Sequence, residues 1–190
     1  MKAIAITPPE ILEYEASAIE EMLDGGWWRV HLRHPSASAD DMIGILSAIP
    51  SRLHDRISVH DHFDELQGMF PGIGLHINSR QSYHEGQRPE TISRSCHSIE
   101  EALKSYDDYC FISPVFDSIS KPGYRKGFTD KDLDRIKDAS STLIALGGVD
   151  AERIPLLRRY KFKGFAMLGA IPWQRPEELK KFSEKILALC

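Results

Sequence analysis

Short apolar and β-branched runs alternate along this chain with segments whose apolar residues recur every three or four positions. The runs 2–6, 28–32, 56–60, 73–76, 91–95, 108–112, 142–146 and 164–168 predict eight β-strands. Met42, Ile45, Leu46 and Ile49 fall at the spacing of one helix face, as do Leu179, Phe182, Ile186 and Leu189 near the C-terminus. Ser98-Ile99-Glu100-Glu101 and Thr129-Asp130-Lys131-Asp132 have the form of capping boxes, in which a hydroxyl and a carboxylate satisfy free amides at a helix start. Strands that alternate with amphipathic helices build a parallel sheet with helices packed outside it. Eight such units predict an α/β architecture, a single closed (βα)8 or TIM barrel. The chain's 190 residues lie just below the roughly 200 usual for the smallest members of that fold, so the barrel is expected to be compact. Segments 61–71 and 78–90, where Gly, Pro, Ser and His crowd out helical spacing, predict shortened or irregular helices after strands three and four. An open doubly wound sheet would carry a glycine-rich turn after its first strand, where Thr7-Pro8-Pro9 stands instead.

A hydrophobic content of 42% and a charged content of 27% suffice for one sizeable core, and residues 1–190 are expected to form a single domain. No apolar run approaches the ~18 residues that span a bilayer, and prolines at positions 8 and 9 come too early for a signal peptide, so a membrane or export role is not expected. Three cysteines without a CxxC fit a reducing cytoplasm. A net charge of −4 and a pI near 6.1 leave out the broad basic field of a general nucleic-acid binder.

In a barrel of this kind, ligands gather at the C-terminal strand ends. Histidines occur at four successive predicted ends, in His31-Leu32-Arg33-His34, His60-Asp61-His62, His76-Ile77-Asn78 and Ser95-Cys96-His97. That recurrence predicts a functional cluster of the histidines at all four strand ends, with Arg33 two residues from His31 on the same strand face. Ser118, Ser120 and Lys121 follow strand six and together can donate hydrogen bonds and one charge to a phosphate, although an ordinary solvated loop reads the same way. Gly147-Gly148 after strand seven and Gly169 after strand eight let backbone amides approach an anion, which favours a phosphate site there over a pair of tight turns.

Together these motifs resemble the thiamine phosphate synthase (thiamine phosphate pyrophosphorylase) family and its TenI relatives, over nearly the whole chain. The most specific marks are Ser95-Cys96-His97-Ser98 with Glu100-Glu101-Ala102, Asp108-Tyr109 leading to Pro114-Val115-Phe116 and Lys121, Ala145-Leu146-Gly147-Gly148-Val149, and Gly164-Phe165-Ala166-Met167-Leu168-Gly169-Ala170-Ile171. The resemblance implies a barrel enzyme of thiamine biosynthesis that joins hydroxymethylpyrimidine diphosphate to hydroxyethylthiazole phosphate and releases pyrophosphate. It implies substrate or phosphate contacts at Ser95, Ser118, Ser120, Gly148 and Gly169. Arg33, His31, His60 and Lys121 become the candidate catalytic residues, and Asp61 the ligand of a Mg²⁺ ion. The implied partners are small phosphorylated thiazole and pyrimidine substrates, with neither nucleic acid nor membrane, and the pattern is compatible with a homo-oligomer.

The departures from the family pattern cluster on the pyrophosphate side. Where the family has Gln-x-Arg-x-Lys, this chain has His31-Leu32-Arg33-His34-Pro35, and where it has Asn-Asp, this chain has His60-Asp61. A second metal-holding aspartate aligns near Gln81, and a strand-eight serine is replaced by Gly169. TenI relatives tautomerise a thiazole carboxylate phosphate and place a histidine where this chain has Pro114. Three readings follow: synthase chemistry, TenI-like proton transfer at His31 and His60, or a regulatory protein that binds a thiazole phosphate without turnover. A Zn²⁺ pair at His60 and His62 in a barrel hydrolase would need an acidic residue after strand eight, where Leu168-Gly169-Ala170 supplies none.

Overall fold

The computed structural model describes residues 1–78, 89–117 and 127–190. Eight parallel strands close into a barrel in sequence order: β1 Lys2–Ile6, β2 Arg29–Leu32, β3 Ile57–Val59, β4 Gly74–Ile77, β5 Ile92–Cys96, β6 Tyr109–Ile112, β7 Thr142–Ala145 and β8 Gly164–Met167. The seam is shut by β8 pairing with β1, Phe165 opposite Ala3 and Met167 opposite Ala5. Each strand falls inside its predicted run or one residue beyond it. The protein is a (βα)8 barrel.

Side chains alternate across each strand, and the two faces enter different environments. Ala3, Ala5, Val30, Leu32, Val59, Leu75, Ile112, Leu143 and Phe165 point outward into the shell that the helices cover. Ile4, Ile6, Tyr109, Phe111, Ile144 and Ala166 point inward and form a separate apolar cluster. That inner cluster fills only part of the barrel. The inward positions of β2 to β5 carry Arg29, His31, Ser58, His76 and Ser93, all buried.

The helices are α1 Glu15–Asp24, α2 Ala39–Ala48, α3 Phe63–Met69, α4 Ile99–Lys104, α5 Asp130–Asp134, α6 Ile154–Arg159 and α7 Pro176–Leu187, with 3₁₀ turns at Ser51–Arg56 and Arg135–Asp138. As expected, α3 is short, with seven residues against the twelve of α7. Residues 79–88 of the second segment expected to be short or irregular lie outside the described residues. Shortening also reaches α4, α5 and α6, which have six, five and six residues. Thr129 and Asp132 form the full capping box predicted for α5. At α4 the box is incomplete: Ser98 accepts from the Glu101 amide, but the Glu101 carboxylate accepts from His97 N–H instead. A further complete box, Ser38 with Asp41, starts α2.

The chain ends meet on the N-terminal side of the barrel, where the Met1 ammonium donates to the Cys190 carbonyl at 2.9 Å. Among the described residues, no helix is long and apolar enough to cross a membrane. The three cysteines are free.

Candidate active site at the barrel mouth

The interior is built upward from a buried cation. Arg29 is 6% exposed, and its guanidinium donates to the Asp55 carbonyl at 2.8 Å, the Ile57 carbonyl at 3.3 Å, Ser58 Oγ at 3.1 Å and Thr91 Oγ1 at 3.3 Å. Its Nε has no hydrogen-bond partner among the described residues. Gly74 makes the room: a Cβ there would lie 2.9 Å from the guanidinium and 2.7 Å from Ser58 Oγ. Carbonyl and hydroxyl oxygens, rather than a carboxylate, solvate this charge inside the barrel.

Above Arg29 the polar groups form a continuous chain. Ser58 Oγ lies 3.2 Å from Tyr109 Oη, Tyr109 Oη lies 2.6 Å from His31 Nε2, and His31 Nδ1 lies 3.0 Å from His60 Nε2. His76 is held on both sides, by Ser93 Oγ and Ser95 Oγ, each at 2.8 Å, and its ring stacks on that of His60 with centroids 4.3 Å apart. His31, His60 and His76 therefore converge from three strands.

Their surroundings keep these imidazoles neutral. Burial is the largest effect on each, disfavouring the charged form, and neighbouring positive groups add to it. His31 and His60 lie well below the usual histidine range, and His76 is lowered to about 3. Arg33 adds to the lowering at both His60 and His76, so its charge bears on the cluster from the mouth.

The C-terminal rim opposite is made of backbone. Val115 N–H donates to the Leu146 carbonyl at 2.9 Å and Phe116 N–H to the Gly147 carbonyl at 3.1 Å, which stitches the loop after β6 to the turn after β7. Gly148 has φ of +65°, and a Cβ there would lie 2.2 Å from the Asp117 carbonyl oxygen, so the turn requires glycine. Arg153 braces the arrangement by donating to the Gly148 and Asp117 carbonyls. Gly169 follows β8 and borders a hollow of about 460 Å³ lined by Pro8, Pro9, Ile171 and Trp173 among others.

Of the predicted site residues, His31 and His60 are in direct contact, and Ser95 reaches the same cluster through His76. Arg33 follows the end of β2, Asp61 follows β3 by two residues, and Gly148 and Gly169 follow β7 and β8. Ser118, Ser120, Lys121 and Gln81 lie outside the described residues. His97 is exposed and stands apart from the cluster. His34 turns away to Glu15 at 2.7 Å and His62 to the Ala37 carbonyl at 2.9 Å, which removes the His60–His62 pair as a metal site. Among the described residues, the ligand atoms of His31, His60 and His76 come within 4.8 Å of one another and could hold a metal ion. Imidazole nitrogens suit zinc, copper or nickel rather than Mg²⁺. Arg29, Ser58 and Ser93 escaped the sequence reading, and Tyr109 entered it only as part of a motif. Strand parity was the signal available, since Arg29 shares a face with His31, but it identifies an interior only once the sheet is known to close.

A family model described as thiamine monophosphate synthase matches residues 3–171. A thiamine-phosphate synthase of Ruminiclostridium cellulolyticum is 22% identical, over 90% of this chain and 86% of that one. Among solved structures, a thiamine phosphate pyrophosphorylase from Bacteroides thetaiotaomicron is 28% identical and superposes with a TM-score of 0.85, covering 100% of this chain and 97% of that one. A thiamine phosphate pyrophosphorylase from Pyrococcus furiosus, 20% identical over 99% of this chain and 94% of that one, shares the fold with a TM-score of 0.81. With the match running from the first strand past the last, the chain belongs to the thiamine monophosphate synthase family.

Proposed function

We propose that this protein binds hydroxyethylthiazole phosphate at the rim formed by the turns after β7 and β8, and joins it to hydroxymethylpyrimidine diphosphate. The observation that carries the reading is the glycine-dependent turn at Gly148, stitched to the loop after β6, on the strand-end face of a barrel of this family. Backbone amides at such turns after the last two strands are suited to a phosphate monoester. Ser118, Ser120 and Lys121 would complete that subsite.

Arg33 would hold the diphosphate, since a guanidinium offers paired donors to phosphate oxygens. Asp61 offers one carboxylate, the minimum for a Mg²⁺ ion held mainly by substrate phosphates, so the residues present fit that ion. When bound there, Mg²⁺ would neutralise charge on the departing pyrophosphate. Arg33 would supply the same kind of stabilisation from the protein.

A second reading, TenI-like proton transfer on a thiazole phosphate, is favoured by the 3.0 Å contact between His31 and His60. Gln and Asn, which the family places there, cannot exchange protons at neutral pH, whereas imidazole can. Incubation with both substrates and Mg²⁺, followed by detection of thiamine phosphate, tests the first reading. Product formation is expected; tight binding of the thiazole phosphate with neither product nor C–H exchange in deuterated water would overturn both and leave a binding protein.

A further inference from the structure

The hydrogen-bond chain inside the barrel has a direction. Arginine can only donate, so Ser58 Oγ accepts from Arg29 at 3.1 Å. The other partner of Ser58 Oγ is Tyr109 Oη at 3.2 Å, and the serine proton finds an acceptor only if it points there. Tyr109 then donates its own proton to His31 Nε2. The 2.6 Å separation agrees, being shorter than the ~2.9 Å usual for an N–H donor and fitting a phenolic O–H. With Nε2 accepting, neutral His31 carries its proton on Nδ1 and donates it to His60 Nε2 at 3.0 Å. Neutral His60 in turn carries its proton on Nδ1, which has no partner among the described residues and sits at the end of β3, at the mouth. In the reverse direction the Tyr109 proton would have to go to Ser58, stranding the serine proton, or to the neighbouring Ser93, whose Oγ is already engaged by His76 Nδ1 at 2.8 Å and the Leu75 carbonyl at 3.3 Å.

We propose that Arg29, Ser58, Tyr109, His31 and His60 form a proton relay whose resting orientation presents His60 Nδ1–H as a proton donor to an electron-rich atom of the bound phosphorylated ligand. This deepens the proton-transfer reading and rests on it. When the ligand takes the Nδ1 proton, His60 Nε2 takes the proton of His31 Nδ1, and His31 Nε2 takes that of Tyr109. Burial pushes the Tyr109 phenol up, and against it the transient phenolate is stabilised by accepting from Ser58 and by Arg29, whose Cζ is 5.9 Å from the ring centroid. The inverted relay leaves a lone pair on His60 Nδ1, ready to remove a proton from another atom of the same ligand. That return step resets every group, so a tautomerisation runs with no net gain or loss of protons. His60 is the catalytic residue; His31, Tyr109, Ser58 and Arg29 are positioning residues.

Two-bond ¹H–¹⁵N correlation spectra of the ¹⁵N-histidine-labelled full chain at pH 7.5, assigned with His31→Gln and His60→Asn, read the tautomers directly. Both histidines are expected in the Nδ1–H form, which is the minority form in water. Tyr109→Phe should move both residues toward a mixture of tautomers, and Ser58→Ala should do so partially. An Nε2–H signature at either histidine in the unmodified protein would overturn the relay, as would stoichiometric zinc bound to the trio. So would a Tyr109→Phe spectrum in which His60 is unchanged. If that variant does not fold, the spectrum of the unmodified protein still decides. No substrate enters these spectra, so failure of the relay and failure of the proposed function are separately visible.

Discussion

At the residue scale, Arg33 and Gly148 separate the two halves of the proposed site. Arg33→Ala should weaken diphosphate binding about tenfold, the loss of one charge-assisted hydrogen bond, and thiazole monophosphate binding by less than about threefold. Calorimetric titration of each ligand checks this, and equal losses would mean that Arg33 does not belong to the diphosphate side. Gly148→Ala forces an L-residue to φ +65° and a Cβ into the Asp117 carbonyl. About 1–2 kcal/mol of stability should go from the left-handed backbone alone, visible as a lower thermal midpoint. His31, His60 and Gly148 were legible because they stand out at strand ends. Arg29 and Ser58 were not, because a polar side chain inside a predicted strand reads as solvent-facing until closure of the sheet puts that face in the interior.

Elements were more legible than contacts. The strands are short β-branched runs bounded by turn residues, and their positions depend on local pattern alone, so they fell where periodicity put them. Helix lengths after β5 to β7 depend on how much of the barrel wall each must cover, which local pattern does not encode; hence the brevity of α4, α5 and α6 was unforeseen. Caps sit between these cases. Thr129-Asp130-Lys131-Asp132 became a full box as its spacing implied, whereas Glu101 was diverted to the amide of His97. Loss of a capping hydroxyl costs about 1 kcal/mol. Thr129→Ala should therefore lower the urea midpoint by that equivalent, as should Ser38→Ala at α2, without changing the slope of the transition.

For the molecule as a whole, three neutral histidines inside one barrel tie stability to pH. Their folded pKa values lie below the unfolded value of about 6.5, so on acidification the unfolded chain takes up protons that the folded chain refuses. The stabilisation from their neutral state is complete above pH ~6.5 and is lost as pH falls toward the folded values, about 3 for His76. Each histidine adds about 1.4 kcal/mol per pH unit to the slope within that window, up to about 4 for the three. Urea denaturation between pH 4.5 and 7.5 should show this loss beginning near pH 6.5, before carboxylates titrate. The His31→Gln, His60→Asn double variant should flatten it by about two thirds.

As proposed, the barrel mouth carries a phosphate cradle on one side and a proton-bearing histidine cluster on the other. A crystal structure of the complex with hydroxyethylthiazole phosphate tests it most directly. The phosphate is expected within hydrogen-bonding distance of the Gly148 and Gly169 amides, with Lys121 beside it and the thiazole ring directed toward His60. A phosphate seated elsewhere on the barrel, or a thiazole directed away from the histidines, would contradict it.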